Sequence, residues 1–142
     1  MTDFLSAFAQ RFASLNASNL DRLDTLYDEQ ALFCDPLHRV QGLQALKQYF
    51  AEMYANVSEL RFDFIAMDQV AEDEGYLRWT MHYRHPRLAA GRMISVEGCS
   101  HLRWNAAGKV VSHRDYFDAG ALLYEHLPLL GRIIRWLKGR LA

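Results

Sequence analysis

The sequence predicts one α+β domain: three N-terminal helices packed on a face of an antiparallel or mixed β-sheet, with a further helix at the C-terminus. Three observations predict it. Apolar residues recur at helical spacing as far as Val57, at a period of two from Leu60 to Phe117, and at helical spacing again from Pro128. Strands that follow one another with tight turns pair as neighbours, and helices gathered in one run cover one face of the resulting sheet. A chain of 142 residues that is 51% hydrophobic and 13% aromatic can bury a core without a disulfide or metal staple.

The elements follow in order. Phe4, Leu5, Phe8, Phe12 and Leu15 form the apolar stripe of a first helix, with Thr2 as its cap. Polar residues 16–19 break it, and Ser18 or Asn19 caps a short second helix whose inner face is Leu20, Leu23 and Tyr27. Residues 31–36 read as a short strand, ended by Pro36, which has no N–H to give a ladder. Gly42 precedes a third helix with Leu43, Leu46, Phe50, Met53 and Val57 inside. Strands are then expected over 60–70, 76–84, 93–104 and 109–117. Glu72-Asp73-Glu74-Gly75 and Asn105-Ala106-Ala107-Gly108 supply the turns. Leu77, Trp79, Met81 and Tyr83 share one face of their strand. Two units result: residues 1–127, and an amphipathic helix over 128–142 packed on them. In that helix Leu129, Leu130, Ile133, Ile134, Leu137 and Leu141 line one side, and Arg132, Arg135, Lys138 and Arg140 the other.

Composition narrows the function. A formal net charge of −1 gives no basic face for nucleic acid. Cys34 and Cys99 read as reduced, buried thiols without an activating neighbour. The N-terminus has no basic, apolar leader pattern and no run is long enough to span a bilayer, so the expected location is the cytoplasm. No Cys-x-x-Cys, His-Glu-x-x-His or glycine-rich phosphate loop occurs, so no metal or other cofactor is expected.

Two short runs carry a resemblance. Phe33-Cys34-Asp35-Pro36 closes the first strand, and His113-Arg114-Asp115-Tyr116-Phe117-Asp118 lies on the last, after Gly108-Lys109-Val110. With the order of elements, they make residues 3–125 similar to the nuclear transport factor 2-like superfamily, in its SnoaL-like, limonene epoxide hydrolase-like and ketosteroid isomerase-like branch. The resemblance implies a cone-shaped, curved sheet enclosing an apolar pocket. One fold carries many functions in this superfamily, so the residues must decide the chemistry.

On that resemblance Asp35 takes the position of the general-base aspartate of ketosteroid isomerase, and Asp115 that of the acid/base aspartate of limonene epoxide hydrolase. A carboxylate inside an apolar cone loses solvation, which suits it to carrying protons. The opposite reading is an Asp-Pro turn that faces water. His113, Asp115 and Phe117 share one strand face, and an aspartate beside a histidine favours imidazolium. The opposite reading is a polar pair that satisfies itself in the core. The catalytic candidates are therefore Asp35, His113 and Asp115. Phe12 and Ser100 stand where ketosteroid isomerase has its tyrosine and protonated aspartate. The strand 79–84 lacks the Arg-x-Asp of limonene epoxide hydrolase, and His82 and Arg84 point away from the cone. Expected pocket walls are Phe12, Phe33, Phe50, Met53, Tyr54, Trp79, Tyr83, Ser100 and Phe117.

The expected ligand is a small apolar molecule, handled by isomerase, cyclase or hydrolase chemistry; the rival is a non-catalytic binding or scaffold domain. Glu97, Cys99, His101 and Arg103 fall on the outer sheet face, through which the resemblance implies a homodimer. The C-terminal helix is expected to dock its apolar stripe on the domain or on a dimer mate. Contact with an anionic membrane surface, with Trp136 at the interface, is the alternative.

Overall fold

The computed structural model describes residues 3–141. Helix α1 spans Phe4–Ala13, α2 Leu23–Leu26 behind a single 3-10 turn, and α3 Leu43–Asn56. The strands are β1 Tyr27–Cys34, β2 Arg39–Gln41, β3 Ser58–Ala71, β4 Glu74–Arg84, β5 Ile94–Trp104 and β6 Val110–Phe117. Two helices follow, α4 Ala119–Leu122 and α5 Pro128–Leu141. One mixed, open sheet runs β2-β1-β6-β5-β4-β3. All neighbours are antiparallel except β1 and β6, which are parallel.

That parallel pair builds the site. A parallel partner needs a long crossover, and here the crossover is the rest of the domain. Phe33 lies opposite His113 and Cys34 opposite Arg114. Asp35 and Asp115 each lie one residue beyond this last pair. The core fills the concave face: Leu5, Leu23, Leu46, Leu77, Leu102 and Val110 have no exposed surface. No helix among the described residues is long and apolar enough to cross a membrane.

Several local expectations are corrected. Thr2 lies outside the described residues; Asp3 caps α1, its carboxylate accepting from the Leu5 N–H at 3.0 Å. Asn19 makes no side-chain cap; it braces the loop by bonding the Asn16 N–H and the Ser14 carbonyl instead. Tyr27 opens β1 rather than closing the second helix, because its phenol finds a partner on β6. Gly75 belongs to β4, opposite Gln69, with only Glu72 and Asp73 left in the turn. Cys34 and Cys99 are unpaired and half-buried rather than buried. Burial pushes the Cys99 thiol up, which keeps it unreactive.

Gly98 shows how backbone and site are coupled. It lies opposite Trp79 on β4 and Phe117 on β6. A Cβ there would come within 2.2 Å of the indole ring of Trp79. Glycine thus lets the indole lie flat on the sheet. Gly98→Ala is expected to lower stability by about 1–3 kcal/mol, since the indole is also packed edge-on against Phe62 at 5.3 Å. Urea denaturation checks this; an unchanged midpoint would show that the ring has room to move.

Helix α5 packs on the domain by the face opposite to the one expected. Gly131 is buried against the Glu125 carbonyl, which also accepts from the Arg135 guanidinium. The Lys138 ammonium bonds Asp118 at 2.7 Å and Glu125 at 3.3 Å. Leu129, Ile133, Trp136, Leu137 and Leu141 are exposed, and Ile134 is half-buried. Periodicity groups these residues on one face; polar anchors decide which way that face turns.

Candidate active site

Between α3, the sheet and α4 lies a cavity of about 510 Å³. Its walls are mainly apolar: Phe12, Phe33, Phe50, Met53, Phe62 and Trp79 among others. Tyr83, Phe117, Leu122 and Leu123 complete the far side, and the Tyr83 phenol donates to the Leu122 carbonyl. Asp35, His38, Tyr49, His85 and Asp115 are among the polar residues that line it. Both aspartates expected from the sequence therefore border one space.

Asp115 is held by a chain of hydrogen bonds whose directions follow from the chemistry of the donors. The Trp79 indole N–H can only donate, and it lies 2.9 Å from Ser100 Oγ. Ser100 then sends its own proton to Asp115 Oδ1 at 2.5 Å. His113 Nε2 lies 2.7 Å from the same oxygen, and His113 Nδ1 lies 2.7 Å from the Tyr27 hydroxyl. Burial, with Asp115 next in effect, pushes the Tyr27 phenol far up, so it keeps its proton. Among the described residues its partner is His113 Nδ1. We therefore assign Tyr27 O–H as donor to Nδ1 and the ring proton to Nε2, which donates to Asp115. The His113 ring is thus seated between phenol and carboxylate. Oδ1 takes both donated bonds, and Oδ2 has no bonded partner among the described residues.

Asp35 is nearly buried, with 7% of its side chain exposed. Its Oδ1 accepts from the Leu37 and His38 N–H groups at 2.8 and 2.7 Å, closing the turn that Pro36 begins. Its Oδ2 accepts from the Tyr49 phenol at 2.9 Å. His38 Nδ1 lies 3.2 Å from the same phenol. Burial first, then the nearby carboxylates Asp35 and Asp115, push the Tyr49 phenol well above its usual range. It stays protonated and fixed on Asp35.

Some expected site residues lie elsewhere. Tyr54 packs against the core from α3 and does not line the cavity; Tyr49, five residues earlier on the helix, does. Ser100 and His113 sit behind the wall, buried under Trp79 and the phenylalanines, and border only a small void beneath the cavity. Tyr27, Tyr49 and His38 were missed from the sequence.

Four phenols, Tyr27 and Tyr83 buried and Tyr49 and Tyr54 half-buried, make stability depend on alkaline pH. Burial pushes Tyr54 and Tyr83 each up to about 12, and Tyr27 and Tyr49 rise as well. The folded chain thus holds these protons more tightly than the unfolded chain, whose tyrosines titrate near 10. Their contribution is fully present below pH about 10 and is lost as pH rises through 10 toward 12. The thermal midpoint is expected to fall over that window, in step with tyrosinate absorbance. A flat profile across it would contradict the burial.

A cone-shaped α+β fold with one apolar cavity and acids on its wall defines the class of protein. The family model for the SnoaL-like domain matches residues 8–113, and the chain belongs to that family. Solved structures agree at the level of fold. A protein of ketosteroid isomerase-like fold from Catenulispora acidiphila, in complex with trimethylamine, is 16% identical with a TM-score of 0.74, over 90% of this chain and 95% of that one. A Jannaschia protein described as a SnoaL-like polyketide cyclase is 13% identical with a TM-score of 0.71, over 84% of this chain and 89% of that one. An epoxide hydrolase of limonene epoxide hydrolase-like type from M. tuberculosis is 14% identical with a TM-score of 0.66, over 81% and 83%.

Proposed function

We propose that the cavity binds a small apolar molecule and that Asp115 moves a proton on it. The observation that carries this reading is a carboxylate with one oxygen held by two donors and the other unbonded, at the wall of an apolar cavity. Such a base is positioned before the ligand arrives. His113 and Ser100 are positioning residues. Asp35 fixes Tyr49, whose phenol oxygen meets a polar atom of the ligand. Returning the proton to another atom of the ligand gives isomerisation or cyclisation; taking it from water gives hydrolysis.

A binding-only reading is favoured by one observation. The wall donors Trp79 and Tyr83 are both committed, to Ser100 and to the Leu122 carbonyl, so neither is free to stabilise an oxyanion.

Ring opening of 5-nitrobenzisoxazole separates the two. A base takes its C–H proton, the N–O bond breaks, and a coloured cyanophenolate forms. The proposal expects saturable opening, inhibited by any apolar ligand that native mass spectrometry finds in the purified protein. Opening no faster than free carboxylate gives would leave only the binding reading.

The exposed Tyr116 and Tyr76 on the outer sheet face, with His101 stacked on Tyr76 at 4.7 Å, support a homodimer through that face. The two unpaired thiols support a reducing location, the cytoplasm.

A further inference from the structure

We infer that α5 is a membrane-surface helix, laying its exposed stripe on anionic lipid while the rest of the chain stays in water. The inference stands on the direction in which the helix is turned, and it is independent of the chemistry in the cavity. At 100° per residue, Gly131, Arg135 and Lys138 share the side that meets the domain. Leu129, Ile133, Trp136 and Leu137 lie on the other side. They are exposed by 72%, 46%, 59% and 48%, and Leu141 by 88%. Scattered apolar residues on a surface need no explanation, but a continuous stripe on one helix does.

Charge decides the occupant. Residues 128–142 contain Arg132, Arg135, Lys138 and Arg140 and no acid, a charge of +4. The whole chain carries −1, so residues 1–127 carry −1 minus 4, or −5. An anionic surface therefore attracts this helix and repels the remainder, which orients the molecule with α5 downward. Arg135 and Lys138 are held by Glu125 and Asp118, so Arg132 and Arg140 are the cations turned outward, and a second copy docked helix to helix would set them against their like. Arg132 flanks the stripe, and Arg140 lies within its last turn, its guanidinium 5.0 Å over the Trp136 indole. An indole beside a guanidinium suits the headgroup layer, where one side is apolar and the other wet. Leu122 and Leu123 of the cavity wall lie on the chain just ahead of α5, so an apolar ligand could pass between lipid and cavity by a short route.

The test uses the full chain and vesicles of phosphatidylcholine with or without phosphatidylglycerol. Trp79 and Trp104 are buried, so emission changes report Trp136. The wild type is expected to sediment with anionic vesicles, with a blue-shifted emission, and to be released by salt. Ile133→Glu with Leu137→Glu is expected to reduce partitioning about tenfold or more, with an unchanged thermal midpoint. Arg132→Gln with Arg140→Gln is expected to weaken binding to anionic vesicles while leaving the fold intact. No sedimentation with anionic vesicles, or equal binding to neutral ones, would overturn the inference. So would a stable dimer that the glutamate variant converts to monomer without any effect on vesicle binding.

Discussion

Asp115→Asn is expected to lower proton abstraction from 5-nitrobenzisoxazole about 100-fold, with the fold and the cavity preserved. Asparagine is isosteric, and its carbonyl oxygen can still accept from Ser100 and from His113 Nε2, which lie 2.5 and 2.7 Å from Oδ1. What it loses is the negative charge and the basic second oxygen. The hydrogen-bond chain therefore survives while the base does not. Asp35→Asn is expected to cost less in rate, because all three of its bonds are with the Leu37 and His38 backbone and Tyr49. Its effect should appear in KM, through a loosened Tyr49, more than in kcat. Paired rates for the two variants check the division of roles. Equal losses in kcat would show that both carboxylates act on the proton.

His113→Ala is expected to be the most damaging single change to stability, at about 3–5 kcal/mol. The ring is 3% exposed and lies among Phe8, Phe12, Phe33 and Tyr27, with Tyr27 stacked on it at 5.9 Å. Removing it opens a cavity, strands the buried Tyr27 hydroxyl and leaves Asp115 Oδ1 with Ser100 as its one donor. Against a typical total of 5–15 kcal/mol, this is a large fraction. Tyr27→Phe separates the two costs: it removes one hydrogen bond without a cavity, at about 1–2 kcal/mol. Urea unfolding of both variants measures the difference. Similar losses for the two would mean that the hydrogen bond, not the packing, holds this region.

Strand alternation explains what could be read in advance. It grouped His113 with Asp115 on β6 and Leu77 with Trp79, Met81 and Tyr83 on β4, and both groups lie on the inner face of the sheet. The Asp-Pro step at the end of β1 marked Asp35. Partners set by register were not legible. Tyr27 meets His113 across 86 residues because β1 runs parallel to β6. Trp79 meets Ser100 across 21 residues along the β4–β5 ladder. On α3 the expected wall residue was Tyr54, four after Phe50, whereas Tyr49, four before Met53, lines the cavity. On α5 the period fixed which residues travel together, and anchors at Asp118 and Glu125 fixed where they face.

All of the chemistry rests on one physical arrangement, an Asp115 carboxyl with an unbonded oxygen in a greasy hollow that a ligand can enter. A crystal structure with 6-nitrobenzotriazole tests it most directly, since that molecule has an N–H where the benzisoxazole has its reactive C–H. The expected result is the triazole seated between Phe50 and Trp79 with its N–H on Asp115 Oδ2. A ligand found only on the outer surface, or a cavity closed by its own side chains, would contradict it.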